Sequence, residues 1–352
     1  MNKTEPSPLF PYWFPTTAVF VDDNASFLRS LMLELPADLA CQTFESTDAA
    51  LAFIDQPAEQ PPLYQRCFSH HRDSDSDSAG TTSQQLIHLD LSLIEREISN
   101  ANRFREVSVV VVDYDMPGMN GLEFCRAIRN PRVRKVLFTG VADEKVAVQA
   151  FNAGLIDRFI IKSQPDAVGE VRRAVAELQQ RYFSAISETL RATLMLNPPP
   201  FLTDPAFGAL FAQLRAEQRF VEYYLVADPD GFLLLTDEGT LFRLLVLGDD
   251  AMDAQAATAR GAAAPKDVIR ALEQRRVVGY FYDSVEEYYD TQEYEWQDYL
   301  VPAQRLEGEQ IWYWALIESP PVDIDFDEQV ANYRAYLDRL DAGPEQARIR
   351  ND

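Results

Sequence analysis

The sequence is short of the residues that most often do chemistry unaided. It has three cysteines and three histidines in 352 residues. Cys41, Cys67 and Cys125 follow no metal-binding or redox spacing, which argues against a disulfide scaffold or a zinc ribbon and for a reducing, cytoplasmic setting. Residues 197–352 contain no histidine at all, so that half lacks the commonest acid–base and metal-binding side chain. No apolar run approaches the ~18 residues that a membrane-spanning helix needs, and no membrane partner is expected. Basic charge is scarce too: 32 Lys+Arg face 56 Asp+Glu, a net charge of −24. Within 197–352 the balance is 13 against 30, with no helix–turn–helix pattern. Duplex DNA is bound by neutralising its phosphates, one charge per about 1.7 Å, so no DNA partner is expected. The opening residues, MNKTEPSPLFPYWFP, interrupt an apolar patch with prolines and offer no small-residue cleavage pattern, which argues against a signal peptide.

What the sequence does have is concentrated in Val107–Gly121, VSVVVVDYDMPGMNG. A run of Val on both parities reads as a strand buried on both faces, as in a parallel sheet. It ends in Asp113, a turn follows, and a helical pattern starts at Gly121. Asp113 therefore sits at the C-terminal end of a central strand, where open α/β sheets place their ligand chemistry. Three more short apolar runs end the same way. Thr17–Val21 leads into Asp22-Asp23, Lys135–Phe138 into Thr139, and Arg158–Ile161 into Lys162. If these strands are parallel, all four ends meet along one edge, with neighbours about 5 Å apart.

Asp22-Asp23, Asp113 four residues before Pro117, Thr139 and Lys162, in that order, resemble the receiver domain of two-component response regulators. The resemblance covers about Thr16 to Arg181. It implies a doubly wound (βα)5 fold and phosphorylation of Asp113 by a sensor histidine kinase or a phosphotransfer protein. It also implies Mg²⁺ as cofactor, ligated by Asp23, Asp113 and the backbone carbonyl of Asp115, with Asp22 acting largely through water. Lys162 would pair with the phosphoryl group, Thr139 would move toward it, and Phe159 matches the family's aromatic switch position. Two residues depart from the family's pattern: Ser163 stands where Pro is commoner, and Gly140 follows Thr139.

The domain reading is an N-terminal arm (1–15), a receiver (16–181) with an insertion (56–106), an extended linker helix (166–196) and an output domain (197–352). Phe10, Trp13 and Phe14 of the arm are expected to pack on the body. The insertion separates a polar, low-complexity part through Gln85, expected to be disordered, from Leu86–Phe104. There Leu91, Ile94, Ile98 and Ala101 fall at helical spacing, and an amphipathic helix packed on the receiver is expected. The apolar stripe of the linker helix runs on to Leu190 and Leu194, past what one receiver needs, so either a homodimer through this helix or its packing against the second domain is expected. The output half reads as a helix, three antiparallel strands from Glu222 to Leu247, two helices, further strands and a closing helix, Asp327–Leu340. That is an antiparallel α+β domain of the PAS or profilin type by fold-level analogy. It carries no P-loop, HExxH, nucleophile elbow or GGDEF- or EAL-like signature, so a protein or small-molecule output partner is expected rather than catalysis. A receiver-gated enzyme acting on a signalling nucleotide is the alternative. The segment Tyr280–Tyr299, dense in Tyr and acidic residues, reads as a half-buried helix or a docking face.

Overall fold

The computed structural model describes residues 9–56, 61–71, 86–140, 144–194, 199–281, 296–321 and 332–346. The polar run 72–85 and most of the Tyr- and acid-rich segment, 282–295, lie outside the described residues. In the first third the elements are β1 (Tyr12–Trp13), β2 (Thr17–Val21), α1 (Ala25–Glu34), β3 (Cys41–Phe44), α2 (Thr47–Ile54), α3 (Leu63–Arg66), β4 (Phe68–His71), β5 (Leu86–Leu89) and α4 (Ser92–Arg96). Then come β6 (Val107–Val112), α5 (Gly121–Ala127), β7 (Arg134–Thr139), α6 (Glu144–Asn152), β8 (Arg158–Ile161) and α7 (Ala167–Leu194). The remainder comprises α8 (Pro205–Gln218), β9 (Phe220–Ala227), β10 (Asp230–Thr236), β11 (Leu241–Leu247), α9 (Asp249–Gly261), α10 (Lys266–Glu273), β12 (Val277–Gly279), β13 (Leu300–Pro302), β14 (Gln304–Glu307), β15 (Ile311–Glu318) and α11 (Tyr333–Gln346).

Two compact units emerge, and each is assembled from three separated segments. One takes Phe14–Tyr64, Ala101–Thr189 and Tyr333–Asp352; the other takes Met1–Trp13, Gln65–Asn100 and Leu190–Asn332.

The first unit is built on a five-stranded parallel sheet of order β3-β2-β6-β7-β8. The valines of β6 explain its burial. Val109 and Val111 join the core beneath α1 and α7, while Val110 and Val112 join the core beneath α2, α5 and α6. The register pairs Val21 with Val112, Val112 with Leu137, and Thr139 with Ile161, so the strand ends line up. Helix α7 is 28 residues long, about 42 Å at 1.5 Å per residue. Its stripe from Val171 to Ile186 is buried. Leu190 is also fully buried within the single chain, so the unpartnered surface on which a homodimer was expected does not exist at that residue.

The C-terminal helix α11 also belongs to this unit. The Tyr333 hydroxyl accepts the Ala40 N–H at 3.0 Å and donates to the Asp38 carbonyl at 2.7 Å. Tyr336 hydrogen-bonds Thr17 Oγ1 at 2.6 Å, and both tyrosine rings pack on Phe104. These partners lie where β2, β3 and β6 begin, the sheet edge opposite Asp113.

The second unit holds a six-stranded antiparallel sheet of order β1-β9-β10-β11-β15-β14. The N-terminal arm supplies an edge strand, with Tyr12 and Trp13 opposite Tyr224 and Tyr223. Phe201, Phe207, Phe211, Tyr223 and Phe232 stack into an aromatic core, and Leu245, Met252, Val278 and Tyr313 belong to a second one. Three strands, two helices and further strands follow in the expected order.

The insertion departs from its expected form. No single helix spans Leu86–Phe104. Leu86–Leu89 pairs with Phe68–His71 as a hairpin, and Asp90 Oδ1 accepts the N–H and hydroxyl of Ser92 to start the short α4. Asx-type bonding of this kind opens a new helix rather than continuing one. The stripe was right about burial, since Ile94 and Ile98 are fully buried. Its destination was wrong: α4 packs on β9 of the antiparallel unit, not on the receiver. The first part of the insertion is also more ordered than expected, with α3 and β4 formed at Leu63–His71.

Candidate functional site

The site forms where the parallel strands end. Beyond β2, Asp22 Oδ1 accepts the Asn24 N–H at 2.9 Å, which turns the chain sharply. Asn24 then caps α1, its Oδ1 accepting the N–H groups of Ser26 and Phe27 at 3.1 and 3.0 Å. The turn leaves Asp22 buried and Asp23 exposed. Beyond β6, Asp113 Oδ1 accepts the Tyr114 N–H at 2.8 Å, and the loop closes as Gly121 donates to the Tyr114 carbonyl at 3.0 Å. Glycine is required at 121, because a Cβ there would lie 2.3 Å from the Asp113 carbonyl oxygen. Asn120 and Glu123 form a reciprocal capping box that fixes the start of α5.

Carboxylate oxygens of Asp22, Asp23 and Asp113 all lie within 4.8 Å of one another. Like charges held so closely repel unless a cation sits among them. Lys162, beyond β8, supplies one: its Nζ lies 3.0 Å from Asp113 Oδ2 and pairs with Asp22 Oδ2. One ammonium against three carboxylates leaves the cluster strongly negative. An all-oxygen donor set with residual negative charge suits a hard cation such as Mg²⁺.

Thr139 ends β7 and is buried, and its carbonyl accepts the Lys162 N–H at 2.9 Å. Asp115 lies on the exposed part of the loop after Asp113. Phe159 is half-buried and packs with the core beneath α2, α5 and α6. The structure thus gathers Asp22, Asp23, Asp113 and Lys162 at one point, with Thr139 on the adjoining strand end. Two contributors were missed in the sequence. Asn24 was legible as a polar residue just before an apolar helical run, the usual capping signature. Phe27 looked only like a core position, and nothing in the pattern placed it beside Lys162.

A parallel sheet of this order with an acidic cluster and a lysine at its C-terminal edge defines a receiver domain. Residues 94–171 match the response regulator receiver domain family. The response regulator LqsR of Legionella pneumophila is 34% identical, with 95% of this chain and 97% of that one covered and a TM-score of 0.72. The chain belongs to the response regulator family. The cyclic di-GMP phosphodiesterase response regulator RpfG of Xanthomonas campestris pv. campestris is 41% identical over 78 residues, 21% of this chain and 20% of that protein. The chain thus matches about a fifth of that relative's length. The signal receiver domain of an HD domain-containing protein from Pseudomonas fluorescens is 17% identical, covering 48% of this chain and 98% of that one, with a TM-score of 0.31. Among the described residues no helix is long and apolar enough to cross a membrane.

Proposed function

We propose that this response regulator is switched by phosphorylation of Asp113 and passes the signal on through the antiparallel unit. The observation that carries this is the Lys162 ammonium bridging Asp22 and Asp113, with Asp23 within 4.8 Å, at the C-terminal edge of a parallel sheet. An Asp113 carboxylate oxygen attacks the phosphorus of a phosphohistidine on a kinase or phosphotransfer protein. The new O–P bond forms as the P–N bond breaks, and the departing imidazole recovers a proton from solvent. Lys162 pairs with the incoming phosphoryl oxygens, and Thr139 offers its hydroxyl to them and couples the event to the loop beyond β7. Asp22, Asp23, Asp113 and the Asp115 carbonyl would hold Mg²⁺, which when bound neutralises charge on the transferring group. Phe159 is the proposed aromatic switch.

For the output we favour binding of a protein or small molecule in the cytoplasm. The acidic balance of residues 197–352 repels nucleic acid and favours a partner with a basic face. A receiver-gated enzyme acting on a signalling nucleotide is the second reading, and the name of the relative RpfG is what favours it. A phosphodonor such as acetyl phosphate with Mg²⁺ should label wild type and not Asp113→Asn. Equal labelling of the two would remove Asp113 from its role. Capture of partners by the two proteins, with and without phosphodonor, then separates a binding output from a catalytic one.

A further inference from the structure

Lys162 reaches the carboxylates on a flexible four-carbon stem, and electrostatic pull alone does not fix where its ammonium sits between Asp22 and Asp113. The structure places an aromatic face beside it. Nζ lies 4.5 Å from the centroid of the Phe27 ring and 6.0 Å from that of Phe138. The two rings are 5.8 Å apart and tilted by 46°. An ammonium within about 6 Å of a ring centroid is drawn to the negative face of the π system. Two carboxylates and two aromatic rings, each on a backbone-anchored side chain, thus lie close to one cation.

Phe27 is placed there by the same turn that places Asp22. Asp22 accepts the Asn24 N–H and Asn24 accepts the Phe27 N–H, so carboxylate, cap and ring are held by consecutive hydrogen bonds. The ring also packs on the core that includes Phe138, whose strand ends one residue later in Thr139.

Building on the role proposed for Lys162, we propose that Phe27 is a positioning residue for it. Its ring face holds the ammonium at the carboxylate cluster, ready to meet phosphoryl oxygens. Phe27 itself touches neither phosphoryl group nor metal. Simple packing makes a different demand: any apolar side chain of similar size would then serve.

The full chain with Phe27→Leu keeps apolar bulk and loses the quadrupole; Phe27→Trp keeps an aromatic face. Beryllofluoride, a phosphoryl mimic, is titrated by ¹⁹F NMR at saturating Mg²⁺, and Mg²⁺ is titrated separately without it. Phe27→Leu should weaken beryllofluoride binding about three- to tenfold, the range of a partly desolvated cation–π contact. Its Mg²⁺ affinity should stay within about twofold of wild type, because cation–π positioning acts on Lys162 and not on the carboxylates. Phe27→Trp should restore beryllofluoride binding. The inference is overturned if Phe27→Leu matches wild type, if Phe27→Trp fails to rescue, or if Mg²⁺ affinity falls in parallel. Lys162→Met separates the two levels. If it binds beryllofluoride like wild type, the role of Lys162 is wrong and this inference falls with it. If Lys162→Met loses binding while Phe27→Leu does not, the inference about Phe27 fails alone.

Discussion

Replacing Asp23 with Asn should make the metal-free receiver more stable. Asp23 has its carboxylate within 4.8 Å of those of Asp22 and Asp113, while the cation pairs recorded at the cluster run from Lys162 to Asp22 and Asp113. Asp23→Asn thus removes two repulsions. Coulomb's law at 4.8 Å gives about 0.9 kcal/mol per pair with the dielectric of water, and about 3.5 kcal/mol at an effective dielectric of 20. Because Asp23 is exposed, the screened value is the better guide, and both pairs together come to ~2 kcal/mol. With Mg²⁺ the order reverses. A cation at about a hundred times its Kd stabilises wild type by about 2.7 kcal/mol, more than the ~2 kcal/mol of repulsion, and the weakened site of Asp23→Asn by much less. Two units need not unfold together, so a single global transition would blur the effect. Amide hydrogen exchange at Val19–Val21 and Val110–Val112 reads the receiver sheet directly, with Leu233–Leu235 in the antiparallel sheet as internal control. A metal-free Asp23→Asn that exchanges faster than wild type in β2 and β6 would refute the electrostatic reasoning, as would a wild type indifferent to Mg²⁺.

Gly121→Ala should cost about 1–3 kcal/mol and depress phosphorylation of Asp113, since its Cβ would meet the Asp113 carbonyl at 2.3 Å and must push the loop aside. Phosphodonor labelling and hydrogen exchange on that variant check both parts. In the other unit, buried Asp204 accepts hydrogen bonds from Ala206 N–H at 2.8 Å, Glu309 N–H at 2.8 Å and Trp312 Nε1–H at 2.7 Å. Burial pushes its carboxyl pKa up, but the bonds from Trp312, Ala206 and Glu309 prevail and hold it below the usual carboxylate value. Asp204→Asn turns a donor toward Glu309 and Trp312 and should cost about 3 kcal/mol at pH 7. A group depressed on folding stabilises above its unfolded pKa, about 3.9, so the gap should close as pH falls through the lower folded value. Urea titrations followed by tryptophan fluorescence at pH 7 and pH 3 would show it.

The receiver was legible because its strands announce themselves twice, by β-branched runs and by the polar residue that stops each one. Thr17–Val21 and Arg158–Ile161 fall where expected, and Val107–Val112 is buried at every position. Three strands of the antiparallel unit were marked by the DPDG and DEGT turns between apolar runs. Periodicity failed where partners are remote in sequence. The spacing of Ile94 and Ile98 says that one face is covered and does not say by what, and an Asp-led turn broke the expected helix. The arm shows the same limit: its aromatics foretell burial, whereas pairing of Tyr12 with Tyr224 depends on a strand two hundred residues away. Phe27 beside Lys162 is a tertiary juxtaposition that no local pattern encodes.

The interleaving of the two units has a consequence for how such a protein can be taken apart or recombined. Six alternating segments mean that the backbone passes from one unit to the other at five joins. A stop codon after residue 332 would remove α11, whose Tyr333 and Tyr336 secure the start of β2 and β3, so a lesion in the last exchangeable piece of gene would be felt by the receiver half. Cutting at the apparent linker near residue 197 would strip the antiparallel sheet of its arm strand β1 and of α4. Neither half can be swapped as a cassette for that of another regulator with a single crossover. The receiver and the antiparallel unit here would have to diverge as one inheritable unit.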